Sequence, residues 1–142
     1  MIVIDANLLI YAYDRKSAFH VRSRAWLQDM FAGATPVWLP WLSVTAFLRV
    51  LTNPRVPVQQ RTLEQNLEIV DRWFEQPNVR LLSPGDGHWP ILREMILRGQ
   101  TRGPMVTDAQ LAALTIECGG VLHTADRGFA RFPGLRWTNP LT

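Results

Sequence analysis

A chain of 142 residues is long enough to bury one hydrophobic core and too short to divide comfortably into two, so residues 1–142 read as a single domain. With 47% hydrophobic and 19% charged residues it lies far from the composition of disordered chains, and no apolar run approaches the roughly 20 residues that would cross a bilayer. The net charge of +3, with Lys16 the one lysine among 15 Lys and Arg, permits phosphate binding by arginine without requiring it.

In chain order, Ile2 to Ile4 form a short β-branched run ending at Asp5, the signature of a buried parallel strand that stops at a polar edge. No basic leader precedes it, and Cys118 is a lone thiol with no partner for a disulfide, so a cytoplasmic, reducing setting is expected. Leu8 to Tyr13 read as a helix that is apolar nearly all round. His20 to Phe31 continues it, with Val21, Ala25, Trp26 and Met30 at helical spacing before Gly33. Val37 to Leu39, between two prolines, make a short strand. Leu42 to Leu51 return to a helix that Asn53-Pro54 ends.

Leu63 to Phe74 predict an amphipathic helix with Leu63, Leu67, Val70 and Phe74 facing inward. Val79 to Leu82 are the next strand, Trp89 to Leu97 a helix, and Arg98 to Pro104 a polar loop. Thr107 followed by Gln110 fits a capping box, so a helix should open at Asp108 and run toward Gly119-Gly120. Val121 to His123 and Leu135 to Trp137 complete the strands. Strands separated by helices imply right-handed crossovers and a mostly parallel sheet with helices on both faces, an α/β fold.

In such sheets ligands bind at the carboxyl ends of the strands, where Asp5 and Asp126 both fall. Carboxylates gathered there repel by about 3 kcal/mol per pair at about 5 Å and an effective dielectric near 20, a cost that a divalent cation removes. Asp5, Asp108 and Asp126, with no histidine or cysteine at ligand spacing, suit Mg²⁺ or Mn²⁺ better than zinc. A phosphodiester held there would lose its charge to the cation while water, made more acidic, attacks phosphorus in line. Each acid also has a plainer reading. Asp5 can cap the following helix, Asp108 can complement a helix dipole, and Asp126 in Ala125-Asp126-Arg127-Gly128 can close an Asx turn.

Three strings spread along the chain, VIDANLLIYAYD, WLSVTAFLRVLTNPRV and VTDAQLAALTIECGGVLHTADRGFARFPGLRWTNPL, together resemble the PIN-domain family, specifically the VapC-like ribonuclease toxins of toxin-antitoxin modules. The resemblance implies a three-layer α/β/α sandwich, Mg²⁺- or Mn²⁺-dependent cleavage of RNA, a homodimer, and inhibition by a VapB-like antitoxin. By position it makes Asp5, Asp108 and Asp126 the metal-binding and catalytic acids. Thr124 becomes the threonine of a T-x-D motif, and Asn7 a polar neighbour of the first acid. Two positions depart from the pattern. Ala46 stands where many members have a glutamate, and Gly128 where many have a further aspartate; Glu94, Asp14 or Glu117 are the acids available to substitute in space.

Arg49, Arg102 and Arg127, with Arg131 beside them, are candidates for gripping RNA or an antitoxin. His20, His88 and His123 read as structural. Trp38, Trp41, Trp73 and Trp89 can stack bases, though core burial is the ordinary fate of tryptophan. A non-catalytic RNA- or antitoxin-binding protein is the alternative that Ala46 raises. A phosphoaspartate module is disfavoured, because Lys16 lies too early to contact a phosphoryl group and the first motif is Asp5-Ala6-Asn7 rather than D-x-D.

Overall fold

The computed structural model describes residues 1–55 and 61–142; Val56, the last residue of the middle motif, lies outside them. The chain runs β1 (Ile2–Ile4), α1 (Ala6–Tyr13), α2 (His20–Ala32), β2 (Val37–Pro40), α3 (Trp41–Leu51), α4 (Leu63–Glu75), β3 (Val79–Leu82), α5 (His88–Gly99), α6 (Met105–Glu117), β4 (Val121–His123) and β5 (Trp137–Thr138). A 3₁₀ turn, Arg127–Arg131, precedes β5.

The strands form one sheet in the order β3-β2-β1-β4-β5, every neighbouring pair parallel. Alternation along β1 sends Ile4 to one face and Val3 to the other, and the core divides accordingly. On one side Ile4, Val37 and Leu39 pack with Leu8, Leu9, Leu27, Phe47 and Trp73 from α1 to α4. On the other, Val3 and Leu122 pack with Met95 of α5 and the Ala109 to Leu114 stretch of α6. This is the three-layer α/β/α arrangement expected from the sequence. Among the described residues no helix is long and apolar enough to cross a membrane.

Two helices present faces other than those expected. In α4 the buried residues are Asn66, Ile69, Val70 and Trp73, while Leu63 is 58% exposed, Leu67 46% and Phe74 37%. Two apolar stripes at helical spacing share Val70, and the stripe carrying Trp73 and Ile69 faces the sheet. In α2 the buried residues are Ser23 and Leu27, whereas Val21 is 78% exposed and Ala25 is exposed. The bend and turn around Lys16 and Ser17, where Asp14 Oδ1 accepts from the Lys16 N–H, separates α2 from α1 and resets its phase.

The capping box also sits elsewhere. Thr107 is already inside α6, which starts at Met105 after Gly103 at φ +59° and Pro104, a residue whose fixed φ suits a helix start. The reciprocal box belongs to α4: Thr62 Oγ1 accepts from the Gln65 N–H at 3.1 Å, and Gln65 Oε1 from the Thr62 N–H at 2.8 Å. The last strand begins at Trp137 instead of Leu135.

Phe47 is the pivot of the larger core. It is fully buried, with its ring centroid 4.6 Å from Trp73 and 5.6 Å from Tyr13. Phe47→Ala is expected to cost about 3–5 kcal/mol, seen in chemical denaturation as a lower midpoint with an unchanged slope.

Candidate active site at the carboxyl edge of the sheet

The site begins with strand pairing. Parallel register sets Ile4 beside His123, and the Asp5 N–H donates to the His123 carbonyl at 3.1 Å, so the chain just after β1 and just after β4 leaves the sheet side by side. That brings Asp5 and Thr124 together across 119 residues. Thr124, fully buried, donates its hydroxyl to Asp5 Oδ2 at 2.7 Å. Thr124 Oγ1 in turn accepts from Asn7 Nδ2 at 3.2 Å and from the Asp126 N–H at 3.0 Å. One donation and two acceptances use the full capacity of a hydroxyl. The T-x-D threonine is thus the hub that fixes Asp5, Asn7 and the backbone of Asp126.

Asp5 stands at the N-cap position of α1 but makes no side-chain capping bond. Asp108 enters from α6. That helix runs back to β4 from the opposite end of the strand, so its first turn lies over the carboxyl edge of the sheet, and Asp108 is half-buried there. Asp126 is exposed at the head of the 3₁₀ turn. Its Oδ1 accepts from the Gly128 N–H at 2.8 Å, so the Asx turn foreseen as the plainer reading does form, engaging one carboxylate oxygen.

Electrostatics tie the three acids together. Burial pushes the Asp5 carboxyl up to about 6; the Thr124 hydroxyl and the Ala6 amide hold it lower than burial alone would, and the charges of Asp108 and Asp126 raise it further. Asp108 is likewise raised, by burial and then by Asp126, with Arg131 opposing. Among the described residues no set of three His, Cys, Asp or Glu side chains is already disposed to hold an ion directly. The donor chemistry nonetheless fits a hard cation. The cluster offers carboxylate oxygens only, its mutual repulsion is what a cation relieves, and Mg²⁺ keeps several waters instead of demanding an all-protein cage.

None of the proposed substitutes for the acid missing at Ala46 reaches this cluster. Glu94 pairs with Arg98 at 3.1 Å on α5, and Asp14 accepts from the Lys16 N–H. Glu117 accepts from the Gly85 N–H and pairs with His88 at 2.9 Å, some 13 Å along α6 from Asp108. At Gly128 a Cβ would stand 3.0 Å from Asp126 Oδ1, so a second aspartate there would crowd the first.

Of the arginines, Arg131 comes closest in effect. It acts electrostatically on Asp108, and its Nη1 lies 3.5 Å from Met105 Sδ. No spacing in the sequence distinguishes it from its neighbours. Arg102, in the loop before α6, and Arg127, next to Asp126, are exposed, as is Arg49 in the last turn of α3. His20 bonds the Tyr11 carbonyl and His123 stacks on Trp26, structural positions both. Trp73 is core, while Trp41 and Trp89 are exposed rather than buried.

A parallel sheet ordered in this way, with acids after its first and fourth strands and a third on the helix between, is a Rossmann-like α/β architecture, and the chain belongs to the PIN-domain family, whose pattern matches residues 2–135. Ribonuclease VapC33 of Mycobacterium tuberculosis is 38% identical over 141 residues, covering 99% of each chain. Two solved structures share the fold. VapBC2 from Rickettsia felis bound to a promoter DNA fragment has a TM-score of 0.70 at 16% identity, covering 98% of each chain. M. tuberculosis VapC20, described as a sarcin-ricin loop cleaving toxin, has a TM-score of 0.68 at 15% identity, covering 96% of this chain and 99% of its own.

The raised Asp5 carboxyl binds its proton more tightly folded than unfolded, so its contribution to stability is full below pH 4 and is lost as pH rises through about 6. Asp5→Asn keeps an acceptor for Thr124 and removes the charge. In EDTA it should therefore be more stable than the parent at pH 8, on the order of 1–3 kcal/mol, with the gap closing toward pH 4 in paired denaturation curves.

Proposed function

We propose that this chain is a metal-dependent endoribonuclease, the toxin of a VapBC-type module. The observation that carries the reading is the convergence of Asp5, Asp108 and Asp126 at the carboxyl edge of the sheet, two of them with raised carboxyls. The names of the relatives supply the substrate class: RNA for the ribonuclease VapC33, and a sarcin-ricin loop for VapC20. The VapBC structures supply the partner, a VapB-like antitoxin. A homodimer and a cytoplasmic location belong to the same reading.

On this reading Asp5, Asp108 and Asp126 hold Mg²⁺ or Mn²⁺. When bound, the cation neutralises the scissile phosphodiester and makes water a better nucleophile. The protein contributes position. Thr124 fixes the Asp5 carboxylate and Asn7 steadies Thr124. The Gly128 amide holds one oxygen of Asp126, leaving the other without a protein hydrogen bond among the described residues. Arg131 adds positive charge beside Asp108, where the phosphate backbone of a substrate would gain from it.

A second reading, RNA or antitoxin binding with weak or no cleavage, is favoured by one observation: Ala46 supplies no carboxylate, and Glu94, Asp14 and Glu117 are engaged elsewhere. Cleavage of a single-stranded RNA by antitoxin-free protein separates the two. Cleavage should require added Mg²⁺ or Mn²⁺, vanish in Asp5→Ala, and fall roughly 10–100-fold in Thr124→Val, whose acids remain but lose their hub. Equal cleavage in excess EDTA would sink the nuclease reading. Mn²⁺ absent from calorimetry alongside intact RNA affinity would establish the binding protein instead.

A further inference from the structure

One cation is fixed between the segments that carry two of the acids. Arg131 closes the 3₁₀ turn that Asp126 heads: its Nε donates to the Gly128 carbonyl at 3.3 Å, and the N–H of that same Gly128 donates to Asp126 Oδ1 at 2.8 Å. Its Nη1 reaches Met105 Sδ, 3.5 Å away on the first residue of α6. Met105 and Asp108 are three residues apart on that helix, so their side chains are neighbours on one face, with Cβ atoms about 5–6 Å apart. The guanidinium therefore spans from the turn of Asp126 to the first turn of α6. Its charge also opposes the effects of burial and of Asp126 on the Asp108 carboxyl.

Arg102 and Arg127 lie close to these acids along the chain, but neither side chain makes a hydrogen bond, ion pair or ring contact among the described residues, so nothing fixes their heads. Arg131 differs in being held while keeping capacity to spare. Of its five N–H donors one goes to the carbonyl and one to the sulfur; the other three have no protein partner among the described residues, on a side chain that is exposed.

We infer that Arg131 is an RNA-binding residue of the acid cluster that works against its metal: the same guanidinium draws in a backbone phosphate and repels the divalent cation that the acids would hold. The inference rests on the metal-dependent ribonuclease reading for its two ligands and on the contacts with Gly128 and Met105 for its place. A guanidinium keeps its charge at every physiological pH, and its free N–H groups make a fork for the unbridged oxygens of a phosphodiester. Removing a mere brace would let the acids drift and weaken the metal. Removing a repelling charge strengthens it.

Binding is measured without cleavage. Mn²⁺ is titrated by calorimetry into RNA-free parent, Arg131→Gln and Arg131→Lys, and a single-stranded 2′-O-methyl oligouridylate is titrated into the same proteins in EDTA. Arg80→Gln, on the edge strand three places from β4 in the sheet, is the control of equal charge, and Arg131→Met repeats the test should Arg131→Gln fold poorly. Arg131→Gln should bind Mn²⁺ about threefold to tenfold more tightly. It should bind the oligonucleotide about threefold to tenfold more weakly, with a plot of log affinity against log salt flatter by about 0.7. Arg131→Lys, which keeps the charge, should hold Mn²⁺ as the parent does, and Arg80→Gln should match the parent for both ligands. Weaker or unchanged Mn²⁺ binding in Arg131→Gln, unaltered RNA affinity there, or the same Mn²⁺ gain in Arg131→Lys each overturns the inference, and the nuclease reading stands if the parent still cleaves RNA with Mn²⁺. A parent that binds no Mn²⁺ removes both.

Discussion

The site depends on one hydroxyl. Thr124 Oγ1 joins the two ends of the chain at the carboxyl edge of the sheet, donating to Asp5 and accepting from Asn7 and from the backbone of Asp126. Because the residue is fully buried, each of those bonds is made away from competing water, and losing the hydroxyl would remove the acceptor of two N–H groups and a donor to the Asp5 carboxylate. The parallel pairing of β1 with β4 exists to be read here: its register decides that position 124 meets position 5. A one-residue slip would turn Thr124 to the other face and separate the acids.

What this clasp holds is a cluster with unfavourable electrostatics of its own. Asp5 is pushed up to about 6 chiefly by burial, and Asp108 is raised by burial and by Asp126. A fold that keeps such a cluster sacrifices stability locally, and the large apolar layers on both faces of the sheet are what make the loss tolerable. The absent fourth acid fits the same balance. Ala46 is half-buried on α3, where a carboxylate would carry a desolvation cost of its own.

Much of this was legible in the sequence because the signals were local or nearly so. The strands at Ile2–Ile4, Val79–Leu82 and Val121–His123 are short runs opening on a β-branched residue with clear punctuation, and acids follow two of the strands within three residues. The helix faces were less legible, for a physical reason. In α4 the residues Leu63, Leu67, Val70 and Phe74 form a valid apolar stripe, but Ile69 and Trp73 fill the space against Phe47, and packing volume outranks a count of apolar positions. The threonine cap at Thr107 was misread because Gly103 and Pro104 start α6 a turn earlier, a backbone signal that outweighs a side-chain one. Nothing in the sequence placed Arg15, Arg24, Arg61 and Arg72 together, since two lie on α2 and α4 and two in the segments before those helices, which meet only through tertiary packing.

Helix α1 relates the two halves of the molecule. Its first turn carries Asn7 beside the acids, and its last residue, Tyr13, carries the Arg24 and Arg61 guanidinium groups against its ring, about 9 Å further along. A polyanion that touches both ends meets opposite problems. At the acids it is repelled unless a cation intervenes; at the arginines it is drawn in directly.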